Sequence, residues 1–84
     1  MIYTVVLLQT AEDELTLIWI RRVGDRAGVT AASHRIELAL RRDPDQKGVP
    51  LDDGSRLYID GPLAAIFEVN ADDRIVTITH FQEV

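Results

Sequence analysis

Apolar residues along this chain recur with two different periods, and the changes between them mark out the elements. Residues 2–8, Ile-Tyr-Thr-Val-Val-Leu-Leu, are β-branched or apolar almost throughout, which predicts a strand covered on both faces or lying centrally in its sheet. The period then lengthens. Ala11, Leu15, Ile18, Trp19 and Arg22 share one helical face and Leu17 and Ile20 widen it, so a first helix should pack on a broad apolar surface with Trp19 as its anchor. Thr10 is the expected N-cap, answered by Asp13, with Glu12 and Glu14 where the helix dipole favours negative charge. After a break between Gly24 and Gly28, the spacing of Val29, Ala32, Ile36, Ala39 and Leu40 predicts a second helix. It should end near Arg42: Arg41 and Arg42 complement the negative end of the dipole, and Asp43 precedes Pro44, which disfavours helical backbone. The short link makes the two helices a hairpin.

Residues 43–54 hold two prolines, two glycines and four aspartates, the chemistry of a solvated loop. Period-two alternation follows in Arg56–Ile59, Leu63–Val69 and Arg74–His80, broken at Asp60-Gly61-Pro62 and at Asn70-Ala71-Asp72-Asp73, which predicts an antiparallel meander. The expected order is therefore β-α-α-β-β-β, an α+β fold with a helical hairpin packed on one face of a mainly antiparallel four-stranded sheet. Alternation puts Arg56, Tyr58 and Asp60 on one face of their strand and Leu57 and Ile59 on the other. With the apolar pair turned to the helices, Arg56 and Tyr58 are expected on the open face.

Composition narrows what such a fold can do. Eighty-four residues suit a single domain, 1–84, and 46% hydrophobic against 27% charged suits a globule rather than a disordered or membrane-spanning chain. Without cysteine there is no disulfide framework and no thiolate, and the N-terminus lacks a basic signal-peptide region, so a cytoplasmic protein is expected. A net charge of −5 opposes strong non-specific binding to nucleic acid, although six arginines between Arg21 and Arg42 leave room for a basic patch on the helices.

Candidate chemistry is sparse. Ser33 and His34 are neighbours on a helix and point apart, which leaves no hydrolase dyad. The four loop aspartates do not follow calcium-loop spacing, and neither a zinc ligand set nor a phosphate-binding glycine loop occurs, so no metal or cofactor is expected. What remains is Arg56, Tyr58 and His80, a cation, a phenol and an imidazole that on one open sheet face could hold a phosphate and move a proton.

Several short runs, in this order, resemble the RelE/ParE family of bacterial toxins from type II toxin–antitoxin systems, a plasmid-stabilisation-like group. They are Ala11-Glu12-Asp13-Glu14-Leu15 through Ile18-Trp19, Val29-Thr30-Ala31-Ala32 and Ile36-Glu37, the Asp43-Pro44 stop, and Phe67-Glu68-Val69 followed by Asp73-Arg74-Ile75-Val76-Thr77-Ile78. The resemblance covers nearly the whole chain. It implies a toxin held inactive by a cognate antitoxin, and one of two modes of action: RelE-like cleavage of mRNA on the ribosome, or ParE-like inhibition of DNA gyrase. Arg56 matches a basic position of the RelE-like site, and Tyr58 stands where a second base is often found. Ala64 stands where that site commonly has Arg, the tail Phe81-Gln82-Glu83-Val84 brings no base, and His80 matches the family histidine only with a shifted register. The expectation is a ParE-like or catalytically degenerate toxin; the alternative is an endoribonuclease using Arg56 and Tyr58.

Overall fold

The structure, a computed structural model, describes residues 2–84. Strand β1 (Thr4–Leu7) leads directly into helix α1 (Gln9–Arg21), a 3₁₀ turn at Val23–Asp25 and helix α2 (Arg26–Leu40). A second 3₁₀ turn at Pro44–Gln46 precedes β2 (Val49–Pro50), β3 (Arg56–Asp60), β4 (Leu63–Asn70) and β5 (Ile75–Glu83). The sheet order is β1-β5-β4-β3-β2, with β1 parallel to β5 and every other pair antiparallel. The helical hairpin and the meander are those expected from the sequence.

The sheet has five strands rather than four, because the proline- and aspartate-rich loop lays two residues along β3: Val49 pairs with Leu57 and Pro50 with Arg56. A proline is tolerated there because β2 is an edge strand, with no further strand to which its missing amide would have to donate. Gly48, at φ +66°, makes the approach possible, since a Cβ on it would lie 2.0 Å from the Leu57 carbonyl oxygen.

β1 is an edge strand, not the central or doubly covered one expected. Its single neighbour is β5, and residues alternate: Val5 and Leu7 pack on the core, whereas Val6 is 41% exposed. The apolar run disguised this, because its outward residues are apolar too.

Helix α1 begins one residue before the expected cap. Leu8 is the N-cap, its carbonyl accepting the Glu12 amide at 3.0 Å, and no side chain caps the helix. Thr10 lies inside the first turn because only Leu8 separates strand from helix. The buried stripe is narrow, Ala11 and Ile18 with Leu15 half-buried, whereas Leu17 and Ile20 are exposed. Trp19 is not the core anchor: it is 40% exposed and lies under the Arg26 guanidinium, 4.3 Å from its ring centroid. Helix α2 buries Val29, Ala32, Ile36 and Leu40 as its period predicts, leaves Ala39 half-buried, and adds Ser33, whose hydroxyl donates to the Thr30 carbonyl at 2.8 Å. Between helices and sheet the core centres on Phe67, Phe81, Ile36, Leu40, Leu63, Val76 and Ile78.

Candidate functional site

The register between β3 and β4 decides which face each candidate occupies. Arg56 pairs with Phe67, Tyr58 with Ala65 and Asp60 with Leu63. Directly paired residues share a face, and Phe67, Ala65 and Leu63 are fully buried beneath the helices. Arg56, Tyr58 and Asp60 therefore point to the helical side, and Leu57 and Ile59, opposite Ile66 and Ala64, to the open side. This reverses the expected placement of Arg56 and Tyr58.

Each of the inward residues has a structural partner. Arg56 donates from Nε to the Lys47 carbonyl at 2.8 Å and from Nη2 to the Gly48 carbonyl at 3.3 Å, fixing the loop that forms β2. Tyr58 packs against the core. Asp60 accepts from Arg35 Nε at 3.0 Å and Nη2 at 2.9 Å, which ties α2 to the β3–β4 turn and raises the guanidinium pKa. The polar side of β3 thus meets polar groups on α2 and the loop, with no loss of core contact.

His80 lies elsewhere. It is on β5 and pairs with Ile66, across β4 from Leu57 and so on the open side by register, just past a bulge at which β5 skips Thr79. Its Nδ1 is 3.1 Å from Glu14 Oε1, which also accepts the Phe81 amide at 3.2 Å. β1 has ended by this point, its last bond running from the Leu8 amide to the Ile78 carbonyl, so α1 supplies the edge acceptor that a strand would otherwise give. Arg56 and Tyr58 share a face; His80 is not brought to them.

The open face is apolar on β2 and β3 and mixed beyond them. Val6, Val49, Leu57, Ile59, Ala64, Ile66 and Ile75 occupy it by register, together with Thr4, Glu68, Asn70, Thr77, His80 and Gln82, and no Lys or Arg of the described strands points from it. A positioned donor to the charge that develops on a phosphate during cleavage is commonly worth about 10²–10³ in rate, and on this face His80 is the one titratable nitrogen base of the described strands. Sequence reasoning missed this face, though a signal existed: Ile66 and Phe67 are adjacent in β4, so both faces of that strand had to carry a large apolar side chain.

Two further features lie on the helical layer. A cleft of about 340 Å³ between the helices is lined by Leu15, Trp19, Val29, Ser33, His34 and Glu37. At the C-terminal end of β5, Glu83 accepts from Arg21 Nη2 at 2.6 Å and Arg22 Nη1 at 3.3 Å, and these bonds hold its carboxyl below the usual range. Among the described residues no group of three or more His, Asp or Glu side chains could hold a metal ion, and no helix is long and apolar enough to cross a membrane.

No protein-family model and no curated protein matches the chain. Solved structures do. A chain of the toxin–antitoxin complex RelBE2 from Mycobacterium tuberculosis aligns over 100% of both chains with a TM-score of 0.80 and 22% identity. The fold is RelE/ParE-like. A chain of the chromosomal ParDE TA system from P. aeruginosa aligns over 99% of this chain and 97% of its own, with a TM-score of 0.74 and 17% identity. At these identities the likeness is one of fold, and it spans both branches, so the character of the RelE/ParE-like sheet has to be read from its own residues.

Proposed function

We propose that the chain is the toxin-like component of a type II toxin–antitoxin module, neutralised by a cognate antitoxin, and that it acts in the cytoplasm by contact rather than by cleaving RNA. The RelE/ParE-like fold, common to chains of the RelBE2 and ParDE complexes, supports the toxin-like part. The observation that carries the second part is the register of β3 on β4, which turns Arg56 and Tyr58 beneath the helices and leaves an open face without Lys or Arg. A ParE-like inhibitor of DNA gyrase fits that face; so does a degenerate toxin that retains only antitoxin binding. The endoribonuclease alternative requires Arg56 and Tyr58 to reach a scissile phosphate, and both are held by the loop and the core.

Regulated expression with and without the neighbouring antitoxin gene tests the toxin-like role. Growth arrest relieved by that gene, with filamentation or DNA damage, supports a ParE-like inhibitor; unchanged growth with retained antitoxin binding supports the degenerate form. Failure to bind any adjacent-gene product overturns the reading.

A further inference from the structure

The cleft between α1 and α2 has a volume of about 340 Å³, at the lower end of the range for small-molecule sites. Its apolar surface comes from Leu15, Val29 and the chain's single tryptophan, Trp19, which is 40% exposed. Its polar surface is weighted toward acceptors. Thr16 and Ser33 each spend the hydroxyl proton on a carbonyl of the preceding turn, Glu12 at 3.0 Å and Thr30 at 2.8 Å, and keep only lone pairs for a ligand. Half-buried Glu37 adds a carboxylate. The ion pairs of the described residues join Arg21 and Arg22 to Glu83, Arg22 to Asp25, Arg35 to Asp60 and His80 to Glu14, and Glu37 belongs to none of them. No Lys or Arg lines the cleft. Arg26, over the Trp19 ring, has its Nε and Nη2 turned to the Trp19 and Ile20 carbonyls.

We propose that this cleft binds a small arylalkylammonium cation, its ring against Leu15, Val29 and Trp19 and its ammonium group on the Glu37 carboxylate and the hydroxyl oxygens. An ammonium brings three donors and no acceptor, the complement of what the cleft offers. A half-buried carboxylate gains more from such a partner than a fully hydrated one, because the local dielectric is lower. The ring adds apolar burial and aromatic contact with Trp19. A carboxylate or phosphate ligand would meet Glu37 with like charge, and a neutral one would leave the carboxylate without a counter-charge. The net charge of −5 favours the approach of cations from solution. The inference goes beyond the toxin-like reading, and because it is read on the purified chain, its failure and that of the growth assay are distinguishable.

The test is a titration of the ¹⁵N-labelled full chain with phenethylammonium, read by amide chemical shifts and by the fluorescence of Trp19. Hydrocinnamate, phenethyl alcohol and butylammonium are run in parallel: the first reverses the charge, the second removes it, and the third keeps the ammonium without the ring. The expected result is saturable shifts concentrated in residues 15–19 and 29–37, with phenethylammonium bound at least about tenfold more tightly than any of the three. Glu37→Gln should weaken its binding roughly tenfold and abolish the preference over the alcohol. Glu68→Gln, an equal change of net charge on the open side of the sheet, and His34→Gln, at the same cleft, should each change binding less than about twofold. Native amide spectra of the variants check folding directly. No saturable binding, shifts centred outside the two helices, equal weakening by Glu68→Gln, or equal binding of hydrocinnamate or phenethyl alcohol would each overturn the proposal. So would butylammonium bound as tightly as phenethylammonium, the mark of a pocket for a protein lysine.

Discussion

Arg56 and Phe67 are paired across β3 and β4 with both side chains on the helical side of the sheet, Phe67 wholly buried and Arg56 bonded to the backbone of the loop that precedes its strand. Arg56 is thereby a residue of the fold. Arg56→Ala should leave any effect on growth unchanged and lower stability by about 1–2 kcal/mol, the usual worth of a charged donor to partly exposed carbonyls. Urea denaturation measures the second; a variant that loses activity at unchanged stability would contradict the assignment.

Phe67 and Trp19 offer a contrast in packing. Phe67→Ala removes a fully buried ring and should cost about 3–5 kcal/mol, a large part of the total stability of a domain this size. Trp19→Ala removes a ring that is 40% exposed and in contact with Arg26, so it should cost far less, of order 1 kcal/mol. Thermal melts of the two variants side by side check the order.

A pair of glycines separates backbone need from open space. Gly48→Ala places a Cβ against the Leu57 carbonyl at positive φ and should detach β2, with a loss of several kcal/mol. Gly24→Ala meets nothing within 4 Å and should be neutral or stabilise by about 0.4–1 kcal/mol through the unfolded state. Equal effects of the two substitutions on the melting temperature would contradict the loop geometry.

The helices and the meander were legible because their apolar periods are strong, and the glycine and proline breaks fall where the chain turns. The faces were not. Alternation in Arg56-Leu57-Tyr58-Ile59-Asp60 defines two sides but not which is inward, and here the core accepts the phenol of Tyr58 while Arg35 draws Asp60 to the same side. The intuitive choice, apolar residues inward, fails because the open side of β3 is apolar as well. The position of β1 was hidden for the same reason. β2 was beyond reach, being two residues held by Arg56 and Gly48 rather than by any propensity of Val49-Pro50. For the site, the candidate residue types were legible, but the shift at Thr79 that sets His80 beside Glu14 depends on a bulge.

Acid should loosen the C-terminal end of β5 first. Glu83 is held below its ordinary value near 4.5 by hydrogen bonds from Arg21 and Arg22. A carboxyl with a lower pKa folded than unfolded adds stability above the unfolded value and loses it as pH falls through the folded one. Amide protection factors at residues 82–84, rates corrected for intrinsic exchange at each pH, should fall below pH 4.5, and Glu83→Gln should remove that pH dependence. An identical acid profile in Glu83→Gln would contradict the role of the ion pairs.

The most direct test of the proposed contact-acting role is ribosome-dependent translation with the purified chain, read by primer extension on the mRNA. Intact message is the expected result, with and without Arg56→Ala and Tyr58→Phe. Codon-specific cleavage by the native chain, abolished by Arg56→Ala, would contradict the account.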